Sequence, residues 1–266
     1  MNIHNNLEEF DDPANYDIEE GDRSLSRIAF YRDLADQVGG PVLEVACGTG
    51  LVAIPIADQG LTVTGVDLSR PMLNHARVKA DHKQLPIRWI EAEAQQLNLG
   101  SRYQFIYMTG NAFQAFLRRE DQASVLASIK RHLAPHGVFA FETRNPSGHD
   151  LSLRLEEAYD QKYTSAEGHH ITVTFTQIYD PLTQVMHWKM YRRWHSDGQD
   201  HLKETRIACR FTHPQELATL LHDNGFQIMR QYGNWNKEAL TNDSPVIITI
   251  CSHRRETDGQ ISNTAA

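Results

Sequence analysis

A carboxylate, two glycines and a second carboxylate are the residues whose types and order suggest chemistry in this chain. Glu44 stands inside the apolar run Val42-Leu43-Glu44-Val45-Ala46. Gly48 and Gly50 follow in Cys47-Gly48-Thr49-Gly50. Asp67 ends a second apolar run that begins at Leu61. Pro41 precedes the first run, which suits the opening of a strand and not its centre. Leu51-Val52-Ala53 leads into a helix-like segment, so the order is strand, tight glycine turn, helix, strand. That is the opening of a nucleotide-binding βαβ unit. Glycine lacks a Cβ and lets the backbone turn sharply and approach a ligand closely. The helix start offers unpaired N–H groups to an anionic group. An acid ending the second strand can accept hydrogen bonds from vicinal ribose hydroxyls. The set therefore points to a ribose-bearing cofactor. Gly48-Thr49-Gly50-Leu51-Val52-Ala53 also satisfies the G-x-G-x-x-A dinucleotide fingerprint, which keeps NAD as an alternative.

Glu44 separates the two. A carboxylate four residues ahead of the first glycine is unfavourable beside a pyrophosphate and favourable beside a cationic amino group. The pattern E-x-A-C-G-T-G followed by G-V-D-L-S resembles the motifs of class I S-adenosylmethionine-dependent methyltransferases. The resemblance implies that Glu44 helps hold the methionyl amino end. It places Gly48 and Gly50 against the cofactor, with Ala46 beside them, and Asp67 on the ribose, with Leu68 beside it. Tyr16-Asp17 resembles the Y-D element ahead of that fold, where the tyrosine closes over the cofactor carboxylate; a packed aromatic is the competing reading. Ser69-Arg70-Pro71-Met72-Leu73 resembles D-x-S-x-x-M-L, which sets Met72 against the adenine edge. Glu93-Ala94 stands where the family has an aspartate and a small residue facing the adenine. Met108 would flank the sulfonium. Asn111 and Phe113 leave the fourth strand toward the acceptor, Arg144 and Asn145 leave the fifth, and Tyr232 and Trp235 the sixth. Core packing competes for Met72 and Phe113. No catalytic base is identified; Tyr16, Tyr232 and the histidines of the inserted sheet are the candidates.

These residues need an α/β frame to position them. Apolar spacing predicts a helix over 22–38 stopped by Gly39-Gly40. Strands are expected over about 41–46, 62–67, 87–91, 103–108 and 138–143. Helices are expected over 50–59, with Pro55 kinking or delaying it, from Ser69 as N-cap, and over 120–133. Leu133-Ala134-Pro135-His136-Gly137 resembles the family's L-x-P-G-G turn. After about 146 the pattern becomes alternating and β-branched, over 159–166, 169–179, 183–195 and 200–211, with turns at Asp180-Pro181 and Ser196-Asp197-Gly198. A helix to about 224 and strands at 226–232 and 246–251 complete the chain. The expected fold is α/β: a Rossmann-like, seven-stranded, mostly parallel sheet with helices on both faces and an inserted antiparallel sheet. Residues 1–145 plus 212–252 would form the cofactor domain and 146–211 a lid over the acceptor. Residues 1–21 would be disordered or form a flap, and 253–266 a loose tail.

Composition narrows the function further. The 266 residues carry a net charge of −8 and 40% hydrophobic residues, enough for a sizeable core. Arg118-Arg119, Lys130-Arg131 and Arg192-Arg193 are isolated pairs and not a phosphate track, so nucleic acid is not expected as a partner. No run approaches the roughly 20 apolar residues of a spanning helix. Cys47, Cys209 and Cys251 are scattered, which suits a reduced, cytoplasmic protein without structural zinc. His169-His170 would point to opposite faces of a strand, a poor ligand pair, and no metal is expected. The antiparallel layer is similar to that of bacterial small-molecule methyltransferases, including sugar N-methyltransferases. The implied reaction is in-line transfer of the methyl group of S-adenosylmethionine to N or O of a small-molecule acceptor. An NAD(P)-dependent oxidoreductase lacks a suitably placed Tyr-x-x-x-Lys pair here, and a non-catalytic cofactor binder is the remaining alternative. A homodimer is left open.

Overall fold

Four consecutive buried residues, Val42–Val45, form β1, and Val63–Asp67 form β2 beside it. Central strands covered on both faces read as continuous apolar runs, which is why both were visible in the sequence. The computed structural model describes residues 6–146, 151 and 155–254. It adds β3 (Arg88–Glu91), β4 (Tyr103–Met108), β5 (Leu133–Arg144), β10 (Phe226–Tyr232) and β11 (Val246–His253) to the same sheet. The order is β10-β11-β5-β4-β1-β2-β3. β1 pairs parallel with β2 and β4, β2 with β3, and β4 with β5, while β11 is antiparallel to β5 and β10. The chain moves outward in one direction through β2 and β3, then in the other through β4 and β5. The crevice between the carboxyl ends of β1 and β4 is therefore the topological switch point, where such sheets bind ligands.

Helices α1 (Pro13–Glu20), α2 (Leu25–Val38), α3 (Ala53–Ala57), α4 (Arg70–His82), α5 (Arg119–His132) and α6 (Pro214–Asp223) surround this sheet. Phe30, Tyr31 and Ala35 of α2 and Val52, Ala53 and Ile56 near α3 pack on one face against Val42, Phe105 and Tyr107. Leu126, Ile129, Leu217 and Leu221 of α5 and α6 pack on the other against Leu43, Ile106 and Phe139. A second, antiparallel sheet contains β6 (Leu155–Thr164), β7 (His170–Asp180), β8 (Val185–Ser196) and β9 (Gln199–Arg210).

The segment from Asn6 to Glu20 lies between the sheets as a strap. Arg192 of β8 binds Glu9 at 2.7 Å and Glu19 at 2.9 Å. On the opposite side Asp17 meets Thr49 of the glycine turn, His75 at 3.1 Å, and Lys79. Of the two readings for the N-terminus, the flap describes residues 6–20; residues 1–5 lie outside the described residues, as does the expected tail over 255–266.

Two expectations for the frame are corrected. The helix expected over 50–59 is only Ala53–Ala57. Gly50 to Val52 are consumed by the turn, and Pro55 supplies no N–H. The turn expected at 133–137 instead begins β5, with Leu133 paired to Tyr103 and a register shift before Phe105. A Cβ on Gly137 would lie 2.8 Å from the Leu133 side chain and 3.0 Å from the Tyr103 and Gln104 carbonyl oxygens. The glycine thus permits a bulged strand where a turn was expected.

Candidate active site

Asp67 organises the turn at the end of β1. Its carboxylate oxygens accept the Gly48 and Ser69 N–H groups, each at 2.7 Å. A carboxylate has about four lone-pair positions, so accepting capacity remains for a hydroxyl donor. Burial raises the Asp67 carboxyl, and the Ser69, Gly48 and Leu68 N–H groups oppose that shift. Gly48 has φ +53°, and Ala46 before it has φ +59°, a strained conformation for alanine held by the turn. Ser69 caps α4 by accepting from the Met72 N–H at 3.4 Å.

A cavity of about 710 Å³ opens over this turn. Glu44 lies on its wall at 1% exposure. Its carboxylate accepts from the Tyr107 hydroxyl at 3.0 Å and the Thr109 hydroxyl at 3.2 Å. Burial nonetheless pushes the Glu44 carboxyl up to about 8. Arg27 of α2 reaches the same cavity. It binds Glu20 at 2.9 Å, while its buried Nε has no partner among the described residues. The donor set suits S-adenosylmethionine: a buried acid for an ammonium, a guanidinium with a free N–H for a carboxylate, a partly used carboxylate for a ribose, and apolar walls for adenine.

Of the residues expected to bind cofactor, Tyr16, Glu44, Ala46, Gly48, Asp67, Leu68, Met72, Glu93 and Ala94 line this cavity. Gly50 and Met108 do not. Met108 is fully buried in the core, because its place on β4 turns it away from the crevice. A Cβ on Gly50, at φ +76°, would meet the Trp89 ring at 2.7 Å and Ile54 at 3.3 Å. Its role is to let the turn pack on β3. Gly50→Ala is expected to cost about 1–2 kcal/mol from its backbone conformation, more with the Trp89 clash. Thermal melts should show partial recovery in the double variant with Trp89→Leu; no recovery would remove the packing account.

A second cavity, about 330 Å³, lies between the strap and the antiparallel sheet. Phe10, Tyr16, Arg27, Gly110, Asn111, Ile207 and Cys209 line both cavities, so the two share a wall. Asn111 adopts φ 60°, ψ 21°, and its buried Oδ1 has no partner among the described residues. Arg144 lines the second cavity with its guanidinium 5.2 Å from the Trp188 ring centroid. It has no carboxylate partner among the described residues.

The other expected acceptor residues are elsewhere. Phe113 is fully buried against Phe141, because the 3-10 turn after Asn111 rotates it into the core. Asn145 donates to the carbonyls of Thr241, Asn242 and Ser244 and so pins the loop before β11. Tyr232 ends the edge strand β10 and Trp235 lies in the loop after it; both pack edge-on to Phe30 and line neither cavity. Burial raises the Tyr16 hydroxyl, which disfavours its anion. Arg27, Trp188 and Glu142 were not singled out from the sequence. A lone Arg on an amphipathic helix and a Trp on an alternating strand carry no local signal of a ligand. Among the described residues, no cluster of three His, Cys, Asp or Glu is placed to hold a metal ion, and no helix is long and apolar enough to cross a membrane.

Residues 42–137 match the family model of a methyltransferase domain. A glycine/sarcosine N-methyltransferase of Aphanothece halophytica is 26% identical over 227 residues, 84% of this chain and 80% of that protein. The CcbJ methyltransferase from Streptomyces caelestis has a similar fold, with a TM-score of 0.80 at 22% identity over 95% of this chain and 100% of that one. A SAM-bound amino pentose methyltransferase from Micromonospora echinaspora gives 0.69 at 17% identity, covering 87% of this chain and 92% of that one. With residues 42–137 spanning the strands and turns that build the larger cavity, the chain carries a methyltransferase domain, in a fold shared with the solved methyltransferases it resembles.

Proposed function

We propose that this methyltransferase acts on a small polar acceptor that carries an amine or hydroxyl together with an anionic group, seated under the lid formed by residues 146–211. The observation that supports this is the shared wall of the two cavities, which allows a ligand in each to meet at Gly110 and Asn111. When bound, S-adenosylmethionine supplies an electrophilic methyl carbon on a sulfonium. The protein's part is to bind, align and exclude water. Glu44 would receive the cofactor's ammonium, Arg27 its carboxylate and Asp67 the ribose hydroxyls. Leu68, Met72, Glu93 and Ala94 would frame the adenine, and Tyr16 would close the site from the strap. Asn111 Oδ1 would accept a hydrogen from the nucleophile. Arg144, spread over Trp188 and without an ion-pair partner among the described residues, would take the anionic group.

The test is transfer of radiolabelled methyl from S-adenosylmethionine to a panel of amino acids, amino sugars and hydroxylated analogues. The names of the glycine/sarcosine N-methyltransferase and the amino pentose methyltransferase set its range. At least one anionic amine should be labelled. For that acceptor Arg144→Ala should raise KM by about tenfold or more, the loss of one charged hydrogen bond, with the KM for cofactor unchanged. Absence of label on every member, with tight cofactor binding, would favour a non-catalytic binder. A labelled acceptor indifferent to Arg144→Ala would remove the anionic requirement.

A further inference from the structure

We propose that Glu142 of β5 is a positioning residue for methyl transfer. It holds the Gly110-Asn111 turn so that Asn111 presents its carboxamide oxygen to the acceptor. This rests on the acceptor reading above. Glu142 is 1% exposed and lines neither cavity. An acid buried on the sheet face that holds Ala140 and Tyr31 is costly unless donors converge on it. They do. Oε1 accepts the Gly110 N–H at 2.6 Å and Oε2 accepts the Tyr31 hydroxyl at 2.5 Å.

The turn it holds carries two local penalties. Asn111 is a non-glycine residue in left-handed conformation, and its Oδ1 is buried at the wall common to both cavities without a partner among the described residues. Such conformations persist when surrounding groups over-determine them, and unpaired buried polar atoms are rare in folded proteins. Among the described residues, no other side chain accepts the Gly110 N–H. The second bond matters as much. Tyr31 is fully buried and stacked on Tyr107, with ring centroids 5.1 Å apart. It lies four residues after Arg27, on the same face of α2. Glu142 thus ties the acceptor-side turn to the helix that presents Arg27 to the larger cavity. One carboxylate sets the spacing between groups that hold the two reactants.

Three variants of the full chain, Glu142→Gln, Glu142→Ala and Asn111→Gly, test this with S-adenosylhomocysteine bound. Gln can still accept from Gly110 and donate to Tyr31. It should keep amide exchange at Gly110 and kcat within about threefold of wild type. Ala should speed Gly110 exchange by about tenfold or more and lower kcat about 30-fold with the KM for S-adenosylmethionine unchanged. Should the Ala protein not fold, Tyr31→Phe takes its place, with a smaller increase in Gly110 exchange expected. Asn111→Gly should raise the melting temperature, since it removes both penalties, while abolishing transfer. Wild-type exchange in Glu142→Ala, or no rescue by Gln, overturns the positioning role. Faster exchange in Glu142→Ala with full transfer in Asn111→Gly would instead overturn the acceptor reading and leave Glu142 a loop anchor. A lower melting temperature in Asn111→Gly overturns the proposal without any acceptor.

Discussion

Glu44→Gln is expected to weaken cofactor binding about tenfold to a hundredfold, while making the ligand-free protein more stable at alkaline pH. The two effects share one cause. Burial pushes the Glu44 carboxyl up to about 8, against the hydrogen bonds of Tyr107, Thr109 and Ala53. Ligand-free protein at neutral pH therefore carries Glu44 mostly protonated. A cationic amino group beside it favours the anion, so binding expels a proton. Wild-type affinity for S-adenosylhomocysteine should tighten as pH rises from about 6 toward 7.5, and the Gln variant should show a flat response. Titration calorimetry in buffers of different ionisation heat reads the released proton directly. For stability the sign follows from the raised pKa. Between 4.5, the ordinary value, and about 8 the folded state holds the proton that the unfolded state has lost. The contribution of this group falls as pH rises through that window and is level above it. Gln removes the loss, so its advantage in thermal melts grows with pH and is greatest above about 8. Parallel pH responses in the two proteins would remove the ammonium role of Glu44.

Asp67→Asn should be nearly as damaging as Asp67→Ala, although it preserves the shape of the side chain. Each carboxylate oxygen already accepts a backbone N–H at 2.7 Å, one from Gly48 and one from Ser69. A carboxamide offers one acceptor oxygen; its amino group would face the other N–H donor. One buried donor is then left unpaired, at a cost of about 1–3 kcal/mol, before any ribose hydroxyl is considered. Both variants should bind S-adenosylhomocysteine at least about tenfold more weakly than wild type, and within about threefold of one another. Calorimetry on the three proteins decides it. Wild-type affinity in the Asn variant would exclude Asp67 from ribose binding and from shaping the turn.

The site residues divide according to how locally each is specified. Glu44, Gly48 and Asp67 lie within strand ends and a turn whose conformation follows from neighbours a few residues away, and all three line the cavity. Gly50 sits in the same motif, yet its missing Cβ serves Trp89, a residue 39 positions later (89 − 50). Phe113 and Asn111 are two apart, and a single 3-10 turn sends one into the core and the other to the shared wall. Asn145 follows Arg144 directly, but its amide is used by carbonyls at 241, 242 and 244. Spacing placed all these side chains near the carboxyl ends of strands without their directions. The strap was the least legible part, since its fit between the sheets depends on Arg192 and Asp17 finding partners far away in sequence.

By itself the sequence determined the parallel sheet, the turn that opens its switch point, the antiparallel addition and the chemistry of the first cavity. Apolar runs, alternation and glycine punctuation act over a few residues and leave their mark in order. Only the tertiary structure decided that Arg27 reaches the site, that Gly50, Met108, Phe113, Asn145, Tyr232 and Trp235 do not line it, and that two cavities share one wall. Those outcomes depend on which faces meet across strands and helices distant in the chain, and packing sets that geometry only once the whole chain has folded.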